Sequence, residues 1–298
     1  MTRRDAPADD VVAGVPVRRY VASVPAGAPS PEESRPAPVL VWAHGGGFFR
    51  GGLDQPEAHE VASALAHRGV GVVTVDYRLS PWPLVGRVGR GTRGERGARS
   101  GAREGVLPQE EARGRARHPG PADDVSAVWR AVAASTPGGA LIGGASAGAC
   151  LSAAATLRAI DDGAAPRGVV LGYGFFHARL PVDRQLQRSV RGHRRLSHSR
   201  RGLDLMNRNY AGTAAALAER HAFAGGHDLA GFPPTLMVDA ENDAMRASGD
   251  VFADELRASG ASLERHVLPG TRHAFLDRPQ LAEFGAAVEL VAAFCRRS

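Results

Sequence analysis

The 298-residue sequence predicts an α/β fold: a mostly parallel central sheet with helices on both faces and a small cap. Two patterns carry that expectation. Short apolar runs of strand length recur along the chain, and segments with helical spacing of apolar residues fall between them, as in strands joined by crossover helices. Two of those runs also end in glycine-rich turns, where a sheet strand would hand over to a loop or a helix.

Taken in order, residues 11–22 read as early strand, and Val39-Leu40-Val41-Trp42-Ala43 as a buried strand opening into His44-Gly45-Gly46-Gly47-Phe48. Residues 56–68 form a helix with Pro56 at its start and Gly69 as its stop. The β-branched run 70–76 is the next strand. Val125, Val128, Trp129 and Val132 fall at i, i+3, i+4 and i+7, giving a helix with one apolar face. Residues 140–144 are a short strand and 147–160 an alanine-rich helix directly after it. Further strands are expected at 169–173, 235–239 and 262–268, and a last helix at 279–295 buries Leu281, Phe284, Val288 and Val291.

Two stretches break this rhythm. Residues 84–118 are Arg/Gly-rich with few large apolar side chains, and such a segment cannot bury enough surface to fold alone, so a disordered insertion is expected. Residues 177–232, between two sheet strands, are too long for a connection and predict a cap or lid. The reading is thus one α/β domain over 1–298 carrying one insertion and one cap.

Composition excludes several classes. A net charge of +6 suggests nucleic acid, but the basic residues are all arginine and the segment 84–118 alone holds most of the excess. That segment offers no aromatic side chains for base stacking, so no nucleic-acid partner is expected. No apolar run is long enough to cross a bilayer, and residues 1–10 lack the apolar core of a secretory signal. Two cysteines, Cys150 and Cys295, make no disulfide framework, and no Cys/His spacing suits a metal, which points to the cytoplasm and to a protein without metal or cofactor. Oligomeric state is not readable.

Chemistry enters with Gly144-Ala145-Ser146-Ala147-Gly148, a G-x-S-x-G sequence between a predicted strand and a predicted helix. Flanking glycines permit a turn that lifts the serine hydroxyl out at the strand end. The N–H of Ala147 and those of the glycine loop would then face one developing oxyanion. A serine needs a base, and where the order is Ser, acid, His the base lies after Ser146. His177, His193, His198, His221 and His227 fall in or beside the cap, and His266 falls inside a strand. His273, in the loop past the last strand, is the best-placed base. Asp243 is the preferred acid, because Asp239 sits within or at the end of a strand and Glu241 reads as a surface carboxylate.

With these pieces the chain resembles the hormone-sensitive-lipase-like branch of the α/β-hydrolase esterases. The resemblance rests on His44 to Phe48, Asp76-Tyr77-Arg78-Leu79-Ser80-Pro81, Gly144 to Gly148, Asp243-Ala244-Met245-Arg246 and Gly270-Thr271-Arg272-His273-Ala274-Phe275. It implies a serine hydrolase acting on small-molecule carboxylic esters of small or medium acyl chains, with Ser146 as nucleophile, His273 as general acid/base and Asp243 as orienting acid. The oxyanion hole would comprise the loop Gly45, Gly46 and Gly47 with Ala147; Gly46, Gly47 and Ala147 would donate, while Gly45 and His44 shape the loop. Asp76 and Arg78 would brace that loop. Two departures stand out: Ala145 replaces an acidic residue common before the nucleophile, and 84–118 exceeds what relatives carry there. The same triad would also serve an amidase or lactonase, and the same fold a non-catalytic small-molecule-binding module.

Overall fold

The computed structural model of the protein describes residues 6–23, 37–82, 114–190 and 198–298. Most of the predicted insertion and residues 191–197 of the predicted cap lie outside the described residues.

Eight strands form one sheet in the order β1-β2-β4-β3-β5-β6-β7-β8. The early strand region is a hairpin, β1 (Ala8–Val12) and β2 (Val15–Tyr20), turned by Ala13-Gly14. β2 runs antiparallel to β4 (Gly71–Val75), which is parallel to β3 (Val39–Ala43). From β3 the sheet continues in parallel through β5 (Leu141–Ala145), β6 (Val169–Gly172), β7 (Thr235–Asn242) and β8 (Leu263–Arg272). Parallel pairing needs crossovers, and helices supply them on both faces.

Side-chain alternation along the central strands builds two cores. Leu40 and Trp42 of β3, Val72 of β4 and Leu141 of β5 point to one face, where α1 (Pro56–Ala66) and α7 (Ala282–Arg297) cover them. Val41, Val73, Val75 and Ile142 point to the other. There α2 (Gly120–Ser135), α3 (Ala147–Asp161) and α6 (Arg246–Ala258) pack down, with Val125, Val128, Trp129 and Val132 all buried as their spacing predicts. Both faces of β3, β4 and β5 are therefore dry, which explains why these strands read as unbroken apolar runs.

The region predicted as a cap, 177–232, contains a short helix α4 (Arg184–Ser189) and α5 (Arg200–Ala211). Leu203, Tyr210, Phe223 and Phe232 from this region join the same apolar cluster as α2 and α3. Two expectations need adjustment. The helix α6 has no counterpart in the sequence reading, because apart from Phe252 and Leu256 its buried residues are small ones such as Ala253. The predicted insertion runs to residue 118, yet residues 114–118 are tied down: Arg115 donates to the carbonyls of Ser80 (2.7 Å) and Phe49 (2.9 Å), Ala116 N–H to Leu79 O and His118 N–H to Tyr210 O.

Candidate active site

Neighbouring strand ends deliver the site residues in pairs. Ala43 of β3 is paired with Gly144 of β5, so the glycine loop and the serine turn leave the sheet side by side. In β7 and β8 the last pair is Asn242 with Arg272, and the next residue on each strand is Asp243 and His273. Residues 262–268 were expected to end this strand at Pro269-Gly270; instead β8 runs on to Arg272, with a register irregularity opposite at Ala240/Asn242. His273 therefore stands at a strand end rather than in a free loop, which fixes its height above the sheet.

Ser146 occupies a sharp turn at φ 53°, ψ −118°, a backbone region that L residues rarely adopt. Its N–H is held by Gly172 O at 2.8 Å, and α3 begins at the following residue. A side chain on Gly148 would collide with the Ala43 carbonyl, so glycine is required for the turn to sit this close to β3. The helix places its positive end beneath Ser146 and Ala147.

The three predicted catalytic residues meet. Ser146 Oγ lies 2.9 Å from His273 Nε2, and His273 Nδ1 lies 2.6 Å from Asp243 Oδ2. The hydrogen-bond pattern sets the tautomer: Nδ1–H donates to the carboxylate, and Nε2 accepts from the serine hydroxyl. All three are buried. Burial opposes a charge on Asp243, but the facing His273, with the Met245 N–H (3.0 Å to Oδ1) and the more distant His198, holds its carboxyl below the usual range. An ionised Asp243 can orient His273 and stabilise an imidazolium.

The glycine loop divides its labour. Gly46 sits at φ +115°, where a side chain would strike the Arg50 carbonyl, and Gly47 lies against Met206 and Phe49. Gly45 N–H is already taken: it donates to Glu57 Oε1, so Gly45 is a buttress, not an oxyanion donor. This agrees with the loop-shaping part expected of Gly45 and leaves Gly46, Gly47 and Ala147 as the expected donors. Phe48 is fully buried and stacks on Tyr210 of α5 with ring centroids 4.0 Å apart, so the cap grips the loop directly.

Bracing from the Asp76-Tyr77-Arg78 stretch falls mainly to Tyr77. Its hydroxyl donates to His44 O at 2.9 Å, and its ring stacks on the His44 imidazole at 4.4 Å. Burial depresses His44 to a pKa of about 4, so that ring stays neutral. Arg78 turns away, toward Asp124 and Gly120 O of α2.

Glu57 was not singled out from the sequence. It lies in the first turn of α1 and is 1% exposed. Besides Gly45 N–H, its carboxyl takes the Tyr173 hydroxyl at 2.5 Å, and Tyr173 packs edge-on against His273 at 5.0 Å. Its own N–H donates to Asp277, four residues beyond His273 (3.1 Å). Burial, reinforced by the charge of Asp277, raises Glu57 to about 7 against the partial offset of Tyr173, His273 and Gly45. One residue thus joins the glycine loop, through its carboxyl, to the histidine loop, through its N–H. An acidic residue in the same helix turn that follows the glycine loop, in a chain with alanine at 145, was the available signal.

The other candidates have different partners. Asp239 is not a strand-end carboxylate but a buried mid-strand residue of β7, held by Arg265 at 2.8 Å. Glu241 accepts from Gly270 N–H. His177 contacts Ser248 and Glu255, His221 contacts Asp161, and His266 contacts Glu264. His193 lies outside the described residues. His198 stands next to the triad, its ring 4.8 Å from that of His273.

Known proteins resemble this chain in sequence and fold. Carboxylesterase NlhH of Mycobacterium tuberculosis is 28% identical over 261 residues, covering 80% of this chain and 67% of that protein. Carboxylic ester hydrolase LipN of the same species is 27% identical over 288 residues, covering 92% and 64%. The crystal structure of a hormone-sensitive lipase from a metagenome library superposes with a TM-score of 0.71 at 23% identity, covering 98% of this chain and 84% of that one, and shares the fold. Residues 114–277 match the α/β-hydrolase fold family, and with the eight-stranded sheet and the strand-end site above, the chain belongs to that family.

Proposed function

We propose that the protein is a serine hydrolase that cleaves carboxylic esters through an acyl-enzyme on Ser146. The observation that carries this reading is the continuous chain Ser146 Oγ to His273 Nε2 (2.9 Å) and His273 Nδ1 to Asp243 Oδ2 (2.6 Å), set beside the glycine loop. The named activities of NlhH and LipN support the ester as the substrate bond.

Ser146 Oγ attacks the ester carbonyl while His273 Nε2 takes its proton. The carbonyl oxygen, now negative, is held by the N–H groups of Gly46, Gly47 and Ala147 at the head of α3. His273 then protonates the departing alkoxide, leaving an ester to Ser146. Water enters, gives its proton to the same nitrogen, and releases the acid. Asp243 keeps the tautomer that makes each transfer possible.

Bulky side chains packed beside the glycine loop support small or medium acyl groups. Phe49 packs on Trp82 at 5.1 Å, Arg115 lies over the Trp82 ring, and Met206 of α5 fills the space against Gly47. Among the described residues no helix is long and apolar enough to cross a membrane; the two cysteines are buried free thiols, as a reducing compartment such as the cytoplasm keeps them.

Hydrolysis of chromogenic esters of increasing acyl length by the wild type and Ser146→Ala tests the proposal. Turnover should fall by roughly 10⁴-fold or more in the variant, as for other triad serines. An unchanged rate in Ser146→Ala overturns the mechanism, and the length profile sizes the pocket.

A further inference from the structure

The mechanism leaves His198 without a role, although it stands at the triad. It immediately precedes Ser199, whose side chain accepts Gly202 N–H at 3.1 Å and caps α5, so the cap helix fixes its position. Its ring meets that of His273 at 83°. One donor atom from each of His198, Asp243 and His273 lies within 4.8 Å of the other two. Two imidazoles and a carboxylate form a donor set that suits zinc and its first-row neighbours, with a fourth position left for water.

We propose that His198, Asp243 and His273 form an inhibitory site for a divalent transition-metal ion of the zinc type, separate from any catalytic requirement. Metal–nitrogen bonds of about 2.0 to 2.1 Å place neighbouring donors roughly 3.4 Å apart in a tetrahedron. The Asp243–His273 contact of 2.6 Å opens by less than 1 Å to admit the ion, and His198 closes from at most 4.8 Å.

The chemistry of inhibition is a tautomer change. In the resting site the single imidazole proton of His273 is on Nδ1 and the lone pair faces Ser146. An ion between Nδ1 and Asp243 takes the Nδ1 lone pair, and the proton moves to Nε2. No proton is gained or lost, but Nε2–H now donates toward Ser146 Oγ and cannot accept from it. The wrong tautomer alone costs about 10⁴ in rate in a comparable triad. The same bond also ties His198, at the head of α5, to the strand end. Loss of turnover on binding rests on the hydrolase reading; binding itself does not.

The test therefore has two arms. In the first, Ser146→Ala in metal-free buffer is titrated with Co²⁺ and followed by its visible absorption, which is strong in tetrahedral coordination and independent of turnover. One Co²⁺ per chain should bind, Zn²⁺ should displace it, and the signal should vanish in Ser146→Ala combined with His198→Gln. In the second, ester hydrolysis by the wild type should fall with added Zn²⁺ and return with EDTA. With inhibition in each protein measured against its own metal-free rate, His198→Gln should need roughly tenfold or more Zn²⁺ for the same fractional loss, the usual effect of weakening a metal site. Thermal melts by circular dichroism confirm that the variants are folded. A Co²⁺ spectrum that survives His198→Gln, or equal Zn²⁺ sensitivity in both proteins, overturns the site. Absence of ester turnover altogether overturns the hydrolase reading instead, while the Co²⁺ arm still decides the metal site.

Discussion

Replacing Glu57 by glutamine should flatten part of the pH dependence of stability. In the native protein this carboxyl is pushed up to about 7, first by burial and then by the charge of Asp277, whereas in the unfolded chain it titrates near 4.5. Between those values the unfolded state has released a proton that the native state still holds, so stability falls as pH rises through the window and the loss is complete above about 7. A displacement of that size is worth about 3 kcal/mol, undiminished by solvent because the group is fully buried. Glutamine cannot ionise, and its carbonyl can still accept from Gly45 N–H, so the variant lacks the term. Reversing the donor at Tyr173 costs it about 1 kcal/mol at every pH. Urea denaturation of both proteins at pH 4.5, 6 and 8 isolates the effect, because titrating groups not coupled to Glu57 cancel in the difference. Glu57→Gln should gain on the wild type by about 3 kcal/mol between pH 4.5 and 8. Parallel stability curves for the two proteins refute the reasoning. Glu57→Leu separates the second role: with no acceptor for Gly45 N–H, the glycine loop loses its buttress. The deficit should fall on kcat more than KM, since the oxyanion donors act in the transition state.

Asp243→Asn should preserve the fold and lower kcat by about 10⁴-fold, because the amide favours the wrong His273 tautomer; a loss under about tenfold in steady-state hydrolysis would place the orienting acid elsewhere. Arg265→Met strands Asp239, whose carboxyl burial raises to about 6 even with Arg265 beside it. Removing the guanidinium raises it further, so the variant should lose about 3 to 5 kcal/mol at pH 8 and less at pH 5, where the carboxyl is protonated. Urea midpoints at the two pH values check both the size and the direction.

How much of the site was legible follows from how locally each part is determined. Ser146 and the glycines around it announce themselves because a strained turn leaves few residue types available, so local sequence and local geometry specify each other. Asp243 and His273 were chosen by chain order and by their position after apolar runs, and the pairing of Asn242 with Arg272 explains why that logic works: parallel neighbours of matched register present their next residues at the same height. Glu57 escapes this logic. In sequence it is an acid in the first turn of a helix, where the helix dipole already gives an exposed carboxylate a sufficient reason to exist. Its burial comes from three elements distant in sequence: Trp42 of β3, whose indole donates to its carbonyl, Tyr173 after β6, and Asp277 after β8. None of those contacts leaves a local pattern. The same holds for His198, one of several cap histidines with nothing in its neighbours to distinguish it, placed by α5 against a strand end 75 residues further on. The residues proposed to perform the chemistry are set by turns, and those proposed to tune it are set by packing between turns. Substitutions of the second kind should therefore shift pH profile, metal sensitivity and the kcat share of any loss while leaving the triad geometry intact.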